Sequence, residues 1–66
     1  MQTFMLKEQM SVYGDTQSTL AETLGITLRA MNYKINGRCQ FKADEIKVIK
    51  ERYALSDSDV AKIFLG

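Results

Sequence analysis

Arg29, Asn32, Tyr33 and Lys34 lie within six consecutive residues of a 66-residue chain. Together they offer a guanidinium, a carboxamide, a phenol and an amine, groups that recognise polar edges and phosphates through hydrogen bonds. Bond-making chemistry has much less to work with. The sequence contains no histidine and one cysteine, Cys39, so a histidine-activated nucleophile cannot be assembled and a metal site would need carboxylates alone. Asp44 and Glu45 are adjacent carboxylates, but they stand in the first turn of an expected helix, where the dipole favours negative charge. No nucleophile, histidine or cationic partner accompanies them. There is no phosphate-cradling glycine loop, nothing implies a cofactor, and the chain is not expected to be an enzyme.

The polar residues need a scaffold, and the stretch from Thr16 to Arg38 reads as two short helices folded against each other at a tight turn. Gln17 to Leu24 puts Leu20, Ala21 and Leu24 on one helical face. Gly25 interrupts that pattern, and a glycine reaches positive φ without the steric cost of a Cβ, so the first helix stops there. Thr27 can cap the second helix with its hydroxyl, while Ile26 and Met31 can touch across the cap as a hydrophobic staple. Met31 and Ile35 give this helix a narrow apolar side, and Asn36-Gly37 signals its end. Arg29, Asn32, Tyr33 and Lys34 are then expected to face away from the core on a helix only about two turns long. Ala21 lets the two helices approach closely where a larger side chain would push them apart.

Gln17 opening the first helix, Ala21 four residues on, Gly25 another four on, Thr27 starting the next helix, the apolar Met31 and the closing Asn36-Gly37-Arg38 form a recognisable pattern. Through it the stretch resembles the helix-turn-helix of the lambda-type phage repressor and Cro family. One position departs: that family often has an apolar residue where Lys34 stands, and here the inward role is expected to pass to Ile35. The resemblance implies an all-α domain spanning residues 1–66, a compact bundle of about five short helices with the motif as its second and third. The run FKADEIKVIKERYALSDSDVAKIFL also looks like the tail of small Cro-like proteins. With no second domain following, the chain resembles a Cro-type protein or an isolated DNA-binding domain more than a two-domain repressor.

The rest of the sequence is consistent with that plan. Thr3 to Tyr13 reads as a helix with Leu6, Met10 and Tyr13 on one face, ended by Gly14, with Phe4 and Met5 adding apolar surface near its start; Asp15 or Thr16 caps the next. After a loop carrying Phe41, a helix from about Ala43 to Tyr53 aligns Ile46, Ile49 and Tyr53. Ser56 and Asp59 approximate a capping box with Leu55 and Val60 as its staple, and a final short helix lined by Val60, Ile63 and Phe64 runs to Gly66. A lone cysteine allows no internal disulfide and points to a reducing compartment. Lys7 and Glu8 break the only apolar run near the N-terminus, so no signal peptide or membrane span is expected and the cytoplasm is the expected location.

Net charge is only +1, but its distribution is uneven: residues 1–25 carry −2, residues 26–42 carry +4 with no acid, and residues 43–66 carry −1. Positive charge thus gathers on the second motif helix and the loop after it. A major groove admits one α-helix, whose N-terminal residues meet base edges, so Thr27, Leu28, Arg29, Asn32 and Tyr33 are the candidate base contacts. Arg29 suits guanine and Asn32 suits adenine. Leu28 suits a thymine methyl or the core, and Tyr33 can stack, bond a phosphate or cover the helix. Gln17, Lys34, Asn36, Arg38 and Lys42 are candidate phosphate contacts, Asn36 being equally suited to a purely structural cap.

The expected activity is therefore sequence-specific double-stranded DNA binding by a phage or prophage regulator. So small a domain needs a homodimer on a pseudo-palindromic operator, with weak self-association that strengthens on DNA. Val60, Ile63, Phe64 and Leu65 are the candidate dimer seam, although such a stripe more often closes a core. The competing expectation is a protein-interaction module of the same fold, an anti-repressor or antitoxin-like partner.

Overall fold

In the computed structural model, which describes residues 1–65, the helices are α1 (Thr3–Val12), α2 (Gln17–Leu24), α3 (Leu28–Ile35), α4 (Ala43–Arg52) and α5 (Asp57–Val60). The last runs on into a wider i→i+5 turn over Ala61–Leu65. Side-chain caps start α2, α3 and α5, and left-handed residues close the ends of α2 and α4. No strand occurs among the described residues, and the architecture is all-α as expected. No helix among them is long and apolar enough to cross a membrane.

Thr16 caps α2 in a reciprocal box with Thr19: the Thr19 N–H donates to Thr16 Oγ1 at 3.2 Å and the Thr16 N–H donates to Thr19 Oγ1 at 2.9 Å. Gly25 ends α2 at φ +71°, and the Ile26 N–H folds back to the Ala21 carbonyl at 3.0 Å. Two residues later Thr27 Oγ1 accepts the Ala30 N–H at 3.1 Å and α3 begins. Ser56 and Asp59 make the expected box at the start of α5. The stop after α4 has the same closure without a glycine: Ala54 sits at φ +51°, and the Leu55 N–H donates to the Lys50 carbonyl at 2.9 Å. An alanine in that region is strained relative to glycine.

The core draws on every part of the chain: Leu6 and Met10 from α1, Leu20 and Ala21 from α2, Met31 and Ile35 from α3, Ile49 from α4, with Phe41, Tyr53, Leu55 and Ile63 from outside those helices. Each fully buried leucine or isoleucine contributes about 2 kcal/mol by leaving water. α1 is fixed at two further points, since Thr3 Oγ1 donates to the Ile35 carbonyl at 2.6 Å and the Gln2 N–H donates to the Ile63 carbonyl at 2.7 Å. It therefore braces the end of α3 and the final turn together.

Three expectations change. Tyr13 is not a core residue: it is half exposed, and its hydroxyl donates to the Tyr53 carbonyl at 3.1 Å. Ile63, a candidate for the dimer seam, is only 2 % exposed and closes the core instead, because the wide turn rotates it inward beneath α1. The final helix was expected to run to Gly66; its α-helical part stops at Val60 and Gly66 lies outside the described residues.

Candidate functional site

α2 and α3 are joined by Gly25, Ile26 and Thr27, and they pack on each other through Leu20, Ala21 and Met31. What decides which residues α3 presents is the set it buries, and that set is Met31, Lys34 and Ile35. Lys34 is the main correction to the sequence reading. It was expected to face outward and to contact phosphate, yet it is only 9 % exposed. Its Nζ donates to Glu45 Oε1 at 2.9 Å and to the Gln40 carbonyl at 3.2 Å, and it lies 5.8 Å from the centroid of the Phe41 ring. The helical spacing i, i+3, i+4 from Met31 turns the position inward, and an amine can stay there because a carboxylate meets it. Lys34 is therefore removed from the candidate phosphate contacts.

Glu45 is accordingly more than a dipole residue, and the cationic partner that sequence proximity did not reveal is Lys34, eleven residues upstream. The same Oε1 accepts the Lys42 N–H at 2.8 Å, so one buried carboxylate caps α4 and anchors α3. Had Lys42 been a serine, the N-cap signature would have been visible; a lysine at that position conceals the box.

With Lys34 inside, the outer face of α3 carries Leu28, Arg29 and Asn32, preceded by Thr27 and followed by Asn36, all exposed, with Tyr33 half-buried among them. Leu28 is 48 % exposed, which takes it out of the core. Tyr33 is the contact centre of this face: Arg29 Nε donates to its hydroxyl at 3.1 Å, and the guanidinium carbons of Arg29 and Arg38 lie 5.6 Å and 5.7 Å from its ring centroid. The Arg38 N–H also donates to the Tyr33 carbonyl at 2.8 Å. Asn36 is the C-cap of α3 with φ −83°, while Gly37 takes the left-handed conformation. Its backbone, and not its carboxamide, serves the cap, so the side chain is free of the structural role that competed for it. Gln17, at the first position of α2, is partly exposed, and Lys42 is exposed at the start of α4.

The electrostatics simplify once Lys34 is neutralised by Glu45. Arg29, Arg38 and Lys42 remain as exposed cations between residues 26 and 42, a span without an acid. A second carboxylate network centres on Asp15. Asp15, with its side chain 5 % exposed, accepts from Arg52 Nε and Nη2 at 2.7 Å each, from the Tyr53 hydroxyl at 2.7 Å and from the Thr19 hydroxyl at 3.0 Å. The Arg52 guanidinium, followed by the two hydroxyls, holds its carboxyl well below the usual carboxylate range despite burial. Burial, then the Asp15 carboxylate, pushes the Tyr53 phenol far above its ordinary value. This cluster ties the α1–α2 loop to the end of α4 and fixes the base of α2 from below.

The dimer candidates separate into different environments. Phe64 is partly buried with its ring edge-on to Phe41 at 5.4 Å, and Val60 is partly buried, whereas Leu65 is 83 % exposed. Phe41, Ile46, Phe64 and Leu65 border an open groove of about 260 Å³ that also reaches Met1 and Cys39. It lies beside Gly37, at the end of α3 away from Thr27.

No family model, no curated protein and no solved structure matches the chain.

Proposed function

We propose that this protein is a sequence-specific double-stranded DNA-binding regulator of transcription, a Cro-like helix-turn-helix repressor of phage or prophage type that works in the cytoplasm and lays α3 in the major groove. The observation that carries the reading is the division of α3. Its inner side is closed by Met31, Lys34 and Ile35, and its outer side collects Thr27, Leu28, Arg29, Asn32 and Tyr33, with Arg38 and Lys42 beyond its end and no unpaired acid in the same span. Thr27, Leu28, Arg29 and Asn32 are assigned to base edges, and Gln17, Asn36, Arg38 and Lys42 to the backbone.

Binding to a duplex of arbitrary sequence tests this reading through its salt dependence. With Arg38 and Lys42 neutralising about two phosphates per subunit, the slope of log K against log salt is expected near −2 for a single subunit and near −4 for a dimer. A protein that shows no binding at low salt, or binding indifferent to salt, does not fit.

A domain of this size covers few base pairs, so the proposed regulator acts as a homodimer, at least on DNA. Leu65 beside the Phe41–Phe64 groove supports the C-terminal turn as the seam. Phe64 is a poor probe because it also packs on Phe41. Leu65→Asp is expected to leave the thermal midpoint nearly unchanged and to weaken self-association at least about tenfold, as loss of a buried leucine should. Sedimentation indistinguishable from the parent would remove the seam from this surface. The same groove favours the second reading, a protein-interaction module of anti-repressor or antitoxin-like type, since an apolar recess suits a protein partner better than a phosphate.

A further inference from the structure

Resting on the DNA-binding reading above, we infer that Tyr33 is a positioning residue that presents Arg29 end-on to a guanine and holds Arg38 for the backbone. A guanidinium can offer guanine O6 and N7 either its Nε–Nη edge or the edge formed by its two terminal nitrogens. Here the first edge is occupied: Arg29 Nε donates to the Tyr33 hydroxyl at 3.1 Å. The terminal nitrogens are left as the parallel donor pair, and their direction is fixed by the phenol one helical turn further along α3.

The ring does the rest. The Arg29 guanidinium carbon is 5.6 Å and that of Arg38 is 5.7 Å from its centroid, within the range of cation–π attraction. Arg38 is held a second time by its backbone bond to the Tyr33 carbonyl. Two long side chains that would otherwise lose rotamer freedom on binding are thus ordered beforehand, one before and one beyond the end of α3. Tyr33 itself does not need to touch a base. The next two residues of α3, Lys34 and Ile35, are both buried, so the backbone that carries Tyr33 is anchored in the core.

The two contributions of Tyr33 can be separated. Tyr33→Phe keeps the ring and removes the hydroxyl; Tyr33→Leu removes both. The test is selection of duplexes from a randomised pool, with the parent, Arg29→Ala, Tyr33→Phe and Tyr33→Leu compared at one salt concentration after their helix content has been matched. The parent is expected to select a guanine at one position of each half-site by roughly 5- to 150-fold over other bases. Arg29→Ala should abolish that preference. Tyr33→Phe should reduce it several-fold and Tyr33→Leu further, with preferences at the other positions retained. Parental guanine selection by both Tyr33 variants, alongside its loss in Arg29→Ala, would overturn the positioning role and leave DNA binding standing. Guanine selection that survives Arg29→Ala would overturn the assignment of Arg29. A parent that retains no duplex would overturn the underlying reading, and this inference with it.

Discussion

Glu45→Ala is expected to lower stability by about 3 kcal/mol or more, measured as a fall in the urea midpoint at unchanged slope. A chain of this length holds only about 3–10 kcal/mol in total, so the loss removes about a third of the stability at the upper end and nearly all of it at the lower. The cause is the amine left behind. Lys34 Nζ would keep the Gln40 carbonyl and the Phe41 ring but lose the Glu45 carboxylate, and α4 would lose the Lys42 cap bond at the same time. Some relief comes from the lysine stem, which can bend its head toward water, so the lower end of the range for buried pairs applies. The double variant Lys34→Met with Glu45→Gln should recover most of the loss, because it removes both charges, fills the inner side of α3 with an apolar chain and keeps an oxygen for the Lys42 N–H. A cost below about 1 kcal/mol for Glu45→Ala would mean that the pair behaves as a surface salt bridge and that α3 is not held by it.

The second large effect is at Asp15. Asp15→Asn keeps the shape of the side chain but turns an NH₂ toward the donors of Arg52 or Tyr53, and it is expected to cost about 2 kcal/mol at neutral pH. The pH dependence follows from the direction of each shift. The folded-state Asp15 carboxyl titrates below its unfolded value, so its contribution is complete above about pH 5 and declines as pH falls below about 4. Tyr53 titrates above its unfolded value, so the protonated phenol stabilises the fold at lower pH, and that contribution declines once pH rises past about 10. Stability should therefore form a plateau between those limits. Asp15→Asn should flatten the acid limb while leaving much of the alkaline one, because burial is the larger cause at Tyr53. An acid limb in Asp15→Asn as steep as the parent's would assign acid unfolding to other carboxylates.

These two sites also mark where the sequence becomes hard to read. Features whose partners are close along the chain are legible: Gly25 stops α2, Thr27 starts α3, and Ser56 with Asp59 starts α5, because each needs only a residue type and a spacing of a few positions. Lys34 is not, since a charged side chain looks like a solvent-facing one until its partner is known, and that partner is eleven residues away on another helix. The Asp15–Arg52 contact spans thirty-seven residues, and neither residue carries a local sign of it. Ala54 hides a helix stop because the usual signal is glycine, and the alanine tolerates the left-handed conformation at some cost in strain. Ile63 and Leu65 are alike in hydropathy; only the wide final turn, which sends one under α1 and the other to solvent, distinguishes core from candidate seam. The outward row of α3 was largely legible, with Lys34 as the exception, because Arg29, Asn32 and Asn36 are polar and their positions relative to Met31 already turn them outward.

The most direct measurement on that row is the duplex titration followed residue by residue in a ¹⁵N–¹H correlation spectrum at low and at moderate salt. Shift changes are predicted to concentrate on the N-terminus of α2, on Thr27 to Tyr33 and on Asn36 to Lys42, and to fade as salt is raised. Signals that stay unmoved at low salt, or that move only around Phe41, Phe64 and Leu65, would contradict DNA recognition by α3.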